Sequence, residues 1–341
     1  MKSNHLVLSA KIFISVFILL FTGKDASSQT KTAMRIAFGS CNRQNLPQPM
    51  WDHVAAGHPD LWIWLGDNIY GDTDDMQVLK EKYELQKNQE AYKKFTSKVP
   101  VIGVWDDHDY GRNDAGKQYP HKNESQQLAL DFLDEPKESS RREQEGIYTS
   151  NTYTIGSKSV KVILLDARYH RDTLMKDSNK NYILNQTGDI LGETQWAWLK
   201  TELASNSDLY IIASGIQFLS EEHPYEKWAN FPVAKKRFLD LLKSSKPEGV
   251  ILLSGDRHIG EFSKTNIKGV DFPLYDIISS GMTHSATNNT GEANKYRVGP
   301  LVNQKHYGVL DITERGKKKL DVKMQLKGIE TPIFHTEQVT F

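Results

Sequence analysis

Short apolar runs recur along this chain up to residue 253, and most of them are continuously apolar rather than alternating. A strand needs that pattern when both of its faces are covered. Amphipathic segments lie between the runs, which predicts helices and a layered α/β fold. The predicted strands are Arg35–Phe38, Leu61–Leu65, Val99–Trp105, Val160–Leu165, Leu209–Ala213 and Val250–Leu253. The predicted helices are Gln77–Phe95, Glu193–Leu203 and Ala234–Leu242.

The last part of the chain has strand-like runs without helical segments between them, at Leu274–Ile278, Tyr307–Thr313 and Leu320–Leu326. We therefore expect an α/β layered sandwich with mixed β-sheets flanked by helices, arranged as one mixed sheet or two stacked sheets. Polar segments rich in turn-forming residues predict surface loops near the site, at residues 111–147, 168–192 and 285–296.

The charge balance argues against a polyanionic partner. Lysine and arginine total 43, and aspartate and glutamate also total 43, in a chain of 341 residues. No overall field favours nucleic acid or an acidic membrane surface, so we expect a small substrate, while the oligomeric state is left open. The length and a hydrophobic fraction of 38% suffice for one principal catalytic domain, which we place at residues 33–341.

The first residues have the pattern of a secretory signal peptide. Lys2 and Lys11 precede the apolar run Ile12–Phe21, and the small residues Ala26 and Ser28 follow it. We therefore predict a signal peptide at residues 1–28, export from the cytoplasm and no stable membrane span after cleavage. The alternative is an uncleaved anchor, although the run is shorter than the ~20 residues of a normal span.

Cys41 is the only cysteine in the chain, so no internal disulfide is possible. Exported proteins usually pair their thiols, which makes this unpaired cysteine informative. It is either a buried small hydrophobe, the common fate of a free cysteine, or a ligand or reactive group.

Polar side chains follow each of the six runs, where the carboxyl ends of parallel strands converge on one crevice. Each of these residues alone has an ordinary explanation as a helix cap, a turn residue or a core histidine. The adjacent carboxylates Asp106 and Asp107 beside His108 weaken that explanation, because they would repel each other and lose hydration without a cation. The six segments are Gly39-Ser40-Cys41-Asn42, Gly66-Asp67-Asn68-Ile69-Tyr70, Asp106-Asp107-His108-Asp109, Asp166-Ala167-Arg168, Ser214-Gly215-Ile216-Gln217 and Gly255-Asp256-Arg257-His258.

These segments supply a mixed set of candidate metal ligands. Oxygen-rich positions suit calcium, magnesium or manganese, whereas a thiolate and a phenolate suit a transition ion such as iron or zinc. The sequence thus indicates a centre with more than one kind of metal. The candidate ligands are Cys41, Asp67, Tyr70, Asp107, Asp256 and His258.

The same segments resemble the PhoD-like phosphatases, the alkaline phosphatase D and phospholipase D types within the calcineurin-like metallophosphoesterases. The resemblance extends from about Arg35 to Thr313 and keeps the family's order of motifs. It implies an α/β sandwich that holds Fe(III) and one or more Ca(II) ions, with Zn, Mn or Mg as alternatives. The motifs are Gly39-Ser40-Cys41, Gly66-Asp67-Asn68-Ile69-Tyr70, Trp105-Asp106-Asp107-His108-Asp109, Leu165-Asp166-Ala167-Arg168, Glu226-Lys227-Trp228-Ala229-Asn230-Phe231-Pro232 and Gly255-Asp256-Arg257-His258.

By this resemblance Asp67 bridges the metals, Cys41 and Tyr70 bind iron, and His108 is the catalytic residue that faces the leaving group. The remaining candidates, Asp107, Asp256 and His258, would complete the metal shell. Two departures matter. Asp109 stands where many members have glutamate, which leaves its role open, and we expect no counterpart of the N-terminal β-domain that some members carry, so that other loops shape the mouth of the site.

Two residues are candidates for substrate binding. Arg168 could hold two phosphoryl oxygens with its planar guanidinium, or it could pair structurally with Asp166 or another acid. Asn113, like Asn42, could donate to the phosphoryl group or bind metal, or could serve as a loop turn residue. Gln217 and His223 stand near the position of a further histidine in the wider superfamily, and we leave both outside the primary ligand set.

The predicted reaction is hydrolysis of a phosphate ester by in-line attack of a metal-activated hydroxide. A phosphomonoester is the first choice of substrate, and a phosphodiester, including a phospholipid head group, is the second. Two other classes remain open: a metal-independent cysteine hydrolase that uses Cys41 with His108 or His258, and an exported metal-binding or phosphate-binding protein without turnover.

Overall fold

Two mixed β-sheets form the centre of the computed structural model, which describes residues 31–289, 291–316 and 319–341. The predicted strand Leu61–Leu65 has the predicted bounds, and the other predicted strands differ at their ends by one to two residues in most cases. The strands are β1 (Ala33–Gly39), β2 (Leu61–Leu65), β3 (Val101–Val104), β4 (Thr149–Ile155), β5 (Lys158–Leu164), β6 (Met175–Lys176), β7 (Tyr182–Ile183), β8 (Leu209–Ser214), β9 (Val250–Ser254), β10 (Gly260–Asn266), β11 (Pro273–Ser279), β12 (Arg297–Val302), β13 (Tyr307–Arg315), β14 (Lys319–Lys327) and β15 (His335–Thr340).

The first sheet has the order β15-β14-β13-β1-β2-β3, and the second has the order β12-β10-β11-β9-β8-β5-β4. Strands β1, β2 and β3 are parallel to one another, as are β5, β8, β9 and β11. Their register places Ile36 opposite Leu61 and Tyr210 opposite Val250. The carboxyl ends of each parallel group therefore lie together at one edge of its sheet.

Helices cover the outer faces of both sheets, so the fold is an α/β/β/α sandwich and the predicted fold class is confirmed. One apolar core lies between the sheets, and two others lie between a sheet and its helices. The helices are α1 (Met50–Ala56), α2 (Met76–Lys87), α3 (Glu90–Thr96), α4 (Asp107–Tyr110), α5 (Lys122–Phe132), α6 (Gly192–Leu203) and α7 (Pro232–Ser245), with 3-10 turns at Ser140–Arg142 and Trp228–Asn230.

The predicted helix Gln77–Phe95 is two helices, α2 and α3. The break falls at Asn88, whose side chain donates to the carbonyl of Glu84 at 2.9 Å and caps α2. An asparagine that bonds the backbone competes with helix continuation. Segment 111–147, predicted as a surface loop, also contains α5, because its apolar residues lie near the helix C-terminus and give a weak periodic signal. Segment 168–192 contains the small β6–β7 ribbon.

Residues from Lys31 to Phe341 form one structural unit. The predicted signal peptide at residues 1–28 lies outside the described residues. Among the residues that the structure describes, no helix has the length and hydropathy needed to span a membrane.

Candidate metal centre

The candidate ligands follow strands β1, β2, β3 and β9, and four of them lie in tight turns of unusual backbone conformation. Cys41, Asp67, Asp256 and His258 are non-glycine residues with φ between 48° and 71°. Such left-handed conformations cost of order 1–3 kcal/mol each and persist where the surrounding structure fixes them, often at functional sites. The adjoining Gly66 also has φ of +87°, and a Cβ there would lie 2.4 Å from the Cβ of Asp106. Close packing between the ends of neighbouring strands therefore fixes the backbone conformation of these turns.

Sulfur, phenol and imidazole donors form one part of the site, around one oxygen of Asp67. The Sγ of Cys41 and the Oη of Tyr70 each lie 3.4 Å from Oδ2 of Asp67. The Nε2 of His258 lies 2.9 Å from the Oη of Tyr70. Burial, followed by nearby cations, lowers the pKa of His258 to about 4, so its imidazole is neutral and suited to bind a metal.

Four carboxylates form the other part of the site. Asp67, Asp106, Asp107 and Asp256 each offer an oxygen within 4.8 Å of the others. Burial and mutual repulsion raise the pKa of Asp67 well above its usual value and that of Asp256 to about 7. Burial opposes ionisation of Asp107 as well, but Arg168 and His108 outweigh it and lower its pKa.

Two of these carboxylate oxygens, Oδ2 of Asp106 and Oδ1 of Asp107, are buried and have no hydrogen-bond partner among the described residues. A buried acceptor without a partner is costly, and a divalent or trivalent cation would satisfy it. The donors thus fit metal ions on both sides of Asp67: a set with sulfur, phenol and imidazole donors suited to a transition ion, and an oxygen-rich set suited to a hard cation.

His108 lies at the edge of this cluster of four carboxylates and lines the cavity above the cluster. Its Nδ1 is 2.7 Å from Oδ1 of Asp72, and its backbone N–H is 3.4 Å from Oδ1 of Asp67. Burial alone would lower the pKa of His108, but the hydrogen bond to Asp72 and the charge of Asp107 raise it to about 9. Sequence reasoning did not single out Asp72.

Asp109 has a structural role. Its carboxylate accepts hydrogen bonds from the backbone N–H groups of Asp67 at 3.2 Å, Asn68 at 3.1 Å and Asp106 at 2.6 Å. It therefore joins the turn after β2 to the turn after β3, and its shorter side chain fits that position without reaching the metal donors.

Arg168 is not among the residues that line the cavity, and its predicted substrate-binding role stays a prediction. Its side chain is completely buried, and it donates to Oδ1 of Asp106 at 2.5 Å and to Oε2 of Glu226 at 2.7 Å. The structural alternative, a pair with a buried acid, describes its contacts. The acids are Asp106 and Glu226 rather than Asp166, whose carboxylate accepts from backbone N–H groups.

Of the four remaining candidates, Asn113 and His223 line the cavity, whereas Asn42 and Gln217 do not. Asn113 is exposed and lines the cavity, as a substrate contact would. Asn42 is buried and donates to Gln86 at 2.7 Å, away from the metal donors. Gln217 is also buried and contacts Glu261 at 3.3 Å, whereas His223 lines the cavity wall.

His284, like Asp72, is a site residue that sequence reasoning missed. Its Nε2 lies 3.0 Å from the Oη of Tyr70 and 3.2 Å from the Nε2 of His258. It follows β11, one of the predicted strands, so the rule that polar residues after an apolar strand mark the site would have found it.

A cavity of about 1030 Å³ opens above these donors. Its wall contains Arg257, whose guanidinium stacks on Tyr225 at 3.7 Å from the ring centroid and pairs with Glu292. Ligand sites typically have volumes of ~300–1,000 Å³, so the cavity holds more than a single phosphoryl group.

The chain is an α/β/β/α sandwich with groups of side chains at its strand ends that could hold metal ions. The sequence profile of the PhoD-like phosphatases matches residues 36–327. The chain belongs to the PhoD-like phosphatase family, as the resemblance of its motifs implied.

Two relatives illustrate the similarity. Alkaline phosphatase D of Bacillus subtilis (strain 168) is 23% identical over 299 residues, which cover 73% of this chain and 51% of that protein. The chain thus spans about half the length of this curated relative. A solved structure described as PhoD matches with a TM-score of 0.71 and 17% identity, over 91% of this chain and 69% of that one, and it supports the fold.

Proposed function

We propose that this chain is a metal-dependent phosphoric ester hydrolase of the alkaline phosphatase D type, with a phosphomonoester as the first substrate class. The observation that carries the proposal is a buried cluster of four carboxylates, one of which, Asp67, also lies beside the sulfur, phenol and imidazole donors. Bound metal ions would activate a water molecule and neutralise the phosphoryl oxygens. Membership of a family of phosphatases supports this proposal.

The two donor sets suggest how the metals divide. Cys41, Tyr70 and His258 would hold Fe(III) with one oxygen of Asp67, and Asp107 and Asp256 would hold Ca(II) with the other. A carboxylate that bridges the ions shares its charge between them, which suits the position of Asp67 between both sets. Zinc, manganese or magnesium in the oxygen-rich set would use the same donors.

His108 is the proposed acid for the leaving oxygen. The hydrogen bond from its Nδ1 to Asp72 fixes the ring and leaves Nε2 for the substrate. Asn113, on the rim of the same cavity, is the proposed contact for the phosphoryl group. In this proposal His108 donates a proton to the leaving oxygen, and Asn113 donates a hydrogen bond to the phosphoryl group.

A phosphodiester is a second candidate substrate because of the cavity wall. Tyr225 is 49% exposed and its ring is backed by Arg257, so it offers a flat surface to a second substituent on the phosphate. The cavity volume agrees with a substrate that has groups on both sides of the phosphorus.

The test compares 4-nitrophenyl phosphate with bis(4-nitrophenyl) phosphate as substrates, before chelation, after chelation and after iron and calcium are restored. We expect hydrolysis that chelation abolishes and metals restore, with the monoester faster. A faster diester would reverse the substrate order. Absence of hydrolysis by metal-loaded protein would refute the proposal in favour of metal or phosphate binding without turnover.

Export from the cytoplasm through cleavage of residues 1–28 is part of the proposal. It rests on the sequence of that segment. N-terminal sequencing of protein recovered outside the cytoplasm should find the chain beginning near residue 29, and intact protein retained in the cytoplasm would contradict export.

A further inference from the structure

We infer that His284 is an additional metal ligand, binding through Nε2 beside Tyr70 and His258. This inference rests on the proposed function only for the presence of a metal at the sulfur-containing donors. It adds a ligand that follows β11 to the ligands supplied by β1, β2 and β9.

The first support is a triangle of donor atoms. The distance from Oη of Tyr70 to Nε2 of His258 is 2.9 Å, that from Oη to Nε2 of His284 is 3.0 Å, and the two nitrogens are 3.2 Å apart. Donors at right angles around one ion, each bound at ~2.1 Å, are about 3.0 Å from one another. The triangle therefore has the size of one face of an octahedral coordination shell.

Without a metal ion, hydrogen bonds between Tyr70 and the two imidazoles can explain the short distances in this triangle. With a metal ion bound to Tyr70 and His258, they cannot. The phenol of Tyr70 has one proton to share, and it lies within reach of two imidazole nitrogens. Once Tyr70 is a phenolate and His258 binds metal, neither can donate to His284. Its Nε2 would then be a poorly solvated lone pair facing two other lone pairs, an arrangement that a cation stabilises.

The second support is the orientation of the imidazole. Its Nδ1 lies 3.2 Å from Oγ1 of Thr283, and that hydroxyl donates to the carbonyl of Cys41 at 3.3 Å. With its hydrogen directed there, the hydroxyl oxygen accepts the Nδ1–H, and the lone pair of His284 is on Nε2. Metal-binding histidines usually donate their other ring N–H to a fixed acceptor in this way.

The backbone also fixes His284 to the site. The N–H of Met282 donates to the carbonyl of Ser40 at 3.2 Å, and that of Thr283 donates to the carbonyl of Cys41 at 3.4 Å. The segment with His284 is thereby joined to the turn that contains Cys41. This pairing holds the backbone of the segment beside Cys41 independently of any metal.

The test measures bound iron and calcium in the full chain by elemental analysis, together with the visible spectrum. We expect His284→Gln to weaken iron binding by roughly tenfold or more and to leave calcium largely in place. The matched control is His223→Gln, because His223 lines the same cavity without contacting Tyr70 or His258. Its iron content should equal that of the wild-type protein.

A second variant separates ligation from loss of folding. His284→Gly leaves room for free imidazole, which should restore iron binding to the variant if Nε2 is a ligand. Iron content that stays at the wild-type level in His284→Gln overturns the inference, whether or not the visible band shifts. Iron loss in His284→Gly that imidazole does not reverse also overturns it.

The outcomes distinguish this inference from the proposed function. If the wild-type chain hydrolyses esters with bound metals while His284→Gln keeps its iron, only the role of His284 is wrong. If the wild-type chain binds metals, loses iron in His284→Gln and hydrolyses nothing, the ligand assignment holds and the proposed function fails.

Discussion

The Nδ1 of His108 lies 2.7 Å from Oδ1 of Asp72, so a carboxylate on the loop after β2 orients a histidine on the helix that follows β3. Accepting the Nδ1–H fixes the tautomer in which Nε2 faces away from Asp72. The two residues are the parts of an acid that can protonate a leaving oxygen above the metal donors.

Asp72→Asn should lower kcat by about 10–100-fold while the metals stay bound, because a neutral amide can still accept the Nδ1–H of His108 but no longer stabilises the protonated imidazole with its charge. The loss should be greater for phenyl phosphate than for 4-nitrophenyl phosphate, since the poorer leaving group needs the proton more. His108→Ala should lower kcat further, again with the greater loss for phenyl phosphate. Asp75→Asn is the control, because Asp75 caps α2 and asparagine caps equally well. Equal losses for both substrates would contradict the acid role.

Asp67→Asn should abolish turnover and reduce the content of both metals. An amide is neutral and cannot share a charge between two cations, whereas Asp67 approaches both donor sets. Steady-state assays and elemental analysis of the same preparation test this expectation. Full metal occupancy with wild-type activity would refute the bridging role.

The sequence alone predicted the sandwich and placed most of the candidate ligands at strand ends, because continuous apolar runs and the residues after them are local features. The shared position of Cys41, Asp67 and Asp256 follows from parallel topology. His284 was missed because the rule was applied to the first six runs and not to the strand Leu274–Ile278. The same rule, carried one strand further, reaches it.

Other features depended on contacts that no local pattern encodes. Asp72 turns back toward His108 through a left-handed backbone conformation, with φ of 46°. The partners of Arg168 are Asp106 and Glu226, which are remote in sequence and meet only through the stacking of two sheets. Sequence reasoning offered a structural pair with Asp166 or another acid as an alternative, but no local pattern indicated that the acids are Asp106 and Glu226.

Arg168→Met should reduce the free energy of unfolding by about 3–5 kcal/mol, since it leaves the buried acid Asp106 without its cation, whereas Glu226 keeps its pair with Arg171. Urea unfolding of the purified chain measures this change. Arg237→Met is the control, because Arg237 pairs with Glu193 at the surface and should matter by less than about 1 kcal/mol. A raised KM with unchanged stability would support the substrate-binding role of Arg168.

Stability should fall as the pH decreases from 6.5 to about 4, partly because of His306. Burial lowers the pKa of this residue to about 4 in the folded chain. An unfolded histidine has a pKa of about 6.5, so the unfolded state takes up the proton first in this window. The contribution of His306 is therefore present above pH 6.5 and is lost toward pH 4, at up to about 1.4 kcal/mol per pH unit.

His306→Gln should make this decline shallower, and His53→Gln, at an exposed position on α1, should not. Urea unfolding at a series of pH values gives both slopes. Identical slopes for wild type and His306→Gln would show that the buried imidazole does not set this dependence.

Cys41 separates the remaining alternatives because each assigns its sulfur a different role. The side chain is completely buried, and burial together with Asp67 and Asp256 raises the pKa of the thiol well above its usual value. A nucleophilic cysteine needs an accessible thiolate, which these surroundings disfavour, whereas a metal ion would bind and stabilise the thiolate.

Alkylation of Cys41 should be slow both with and without bound metal, because the side chain is buried. The content of bound metal is therefore the informative measurement. We expect Cys41→Ser to lose iron while calcium at the carboxylates largely persists, and Cys41→Ala to do the same. Iron retained in both variants would make Cys41 a buried apolar residue, and activity that resists chelation but disappears in Cys41→Ser would make it the nucleophile.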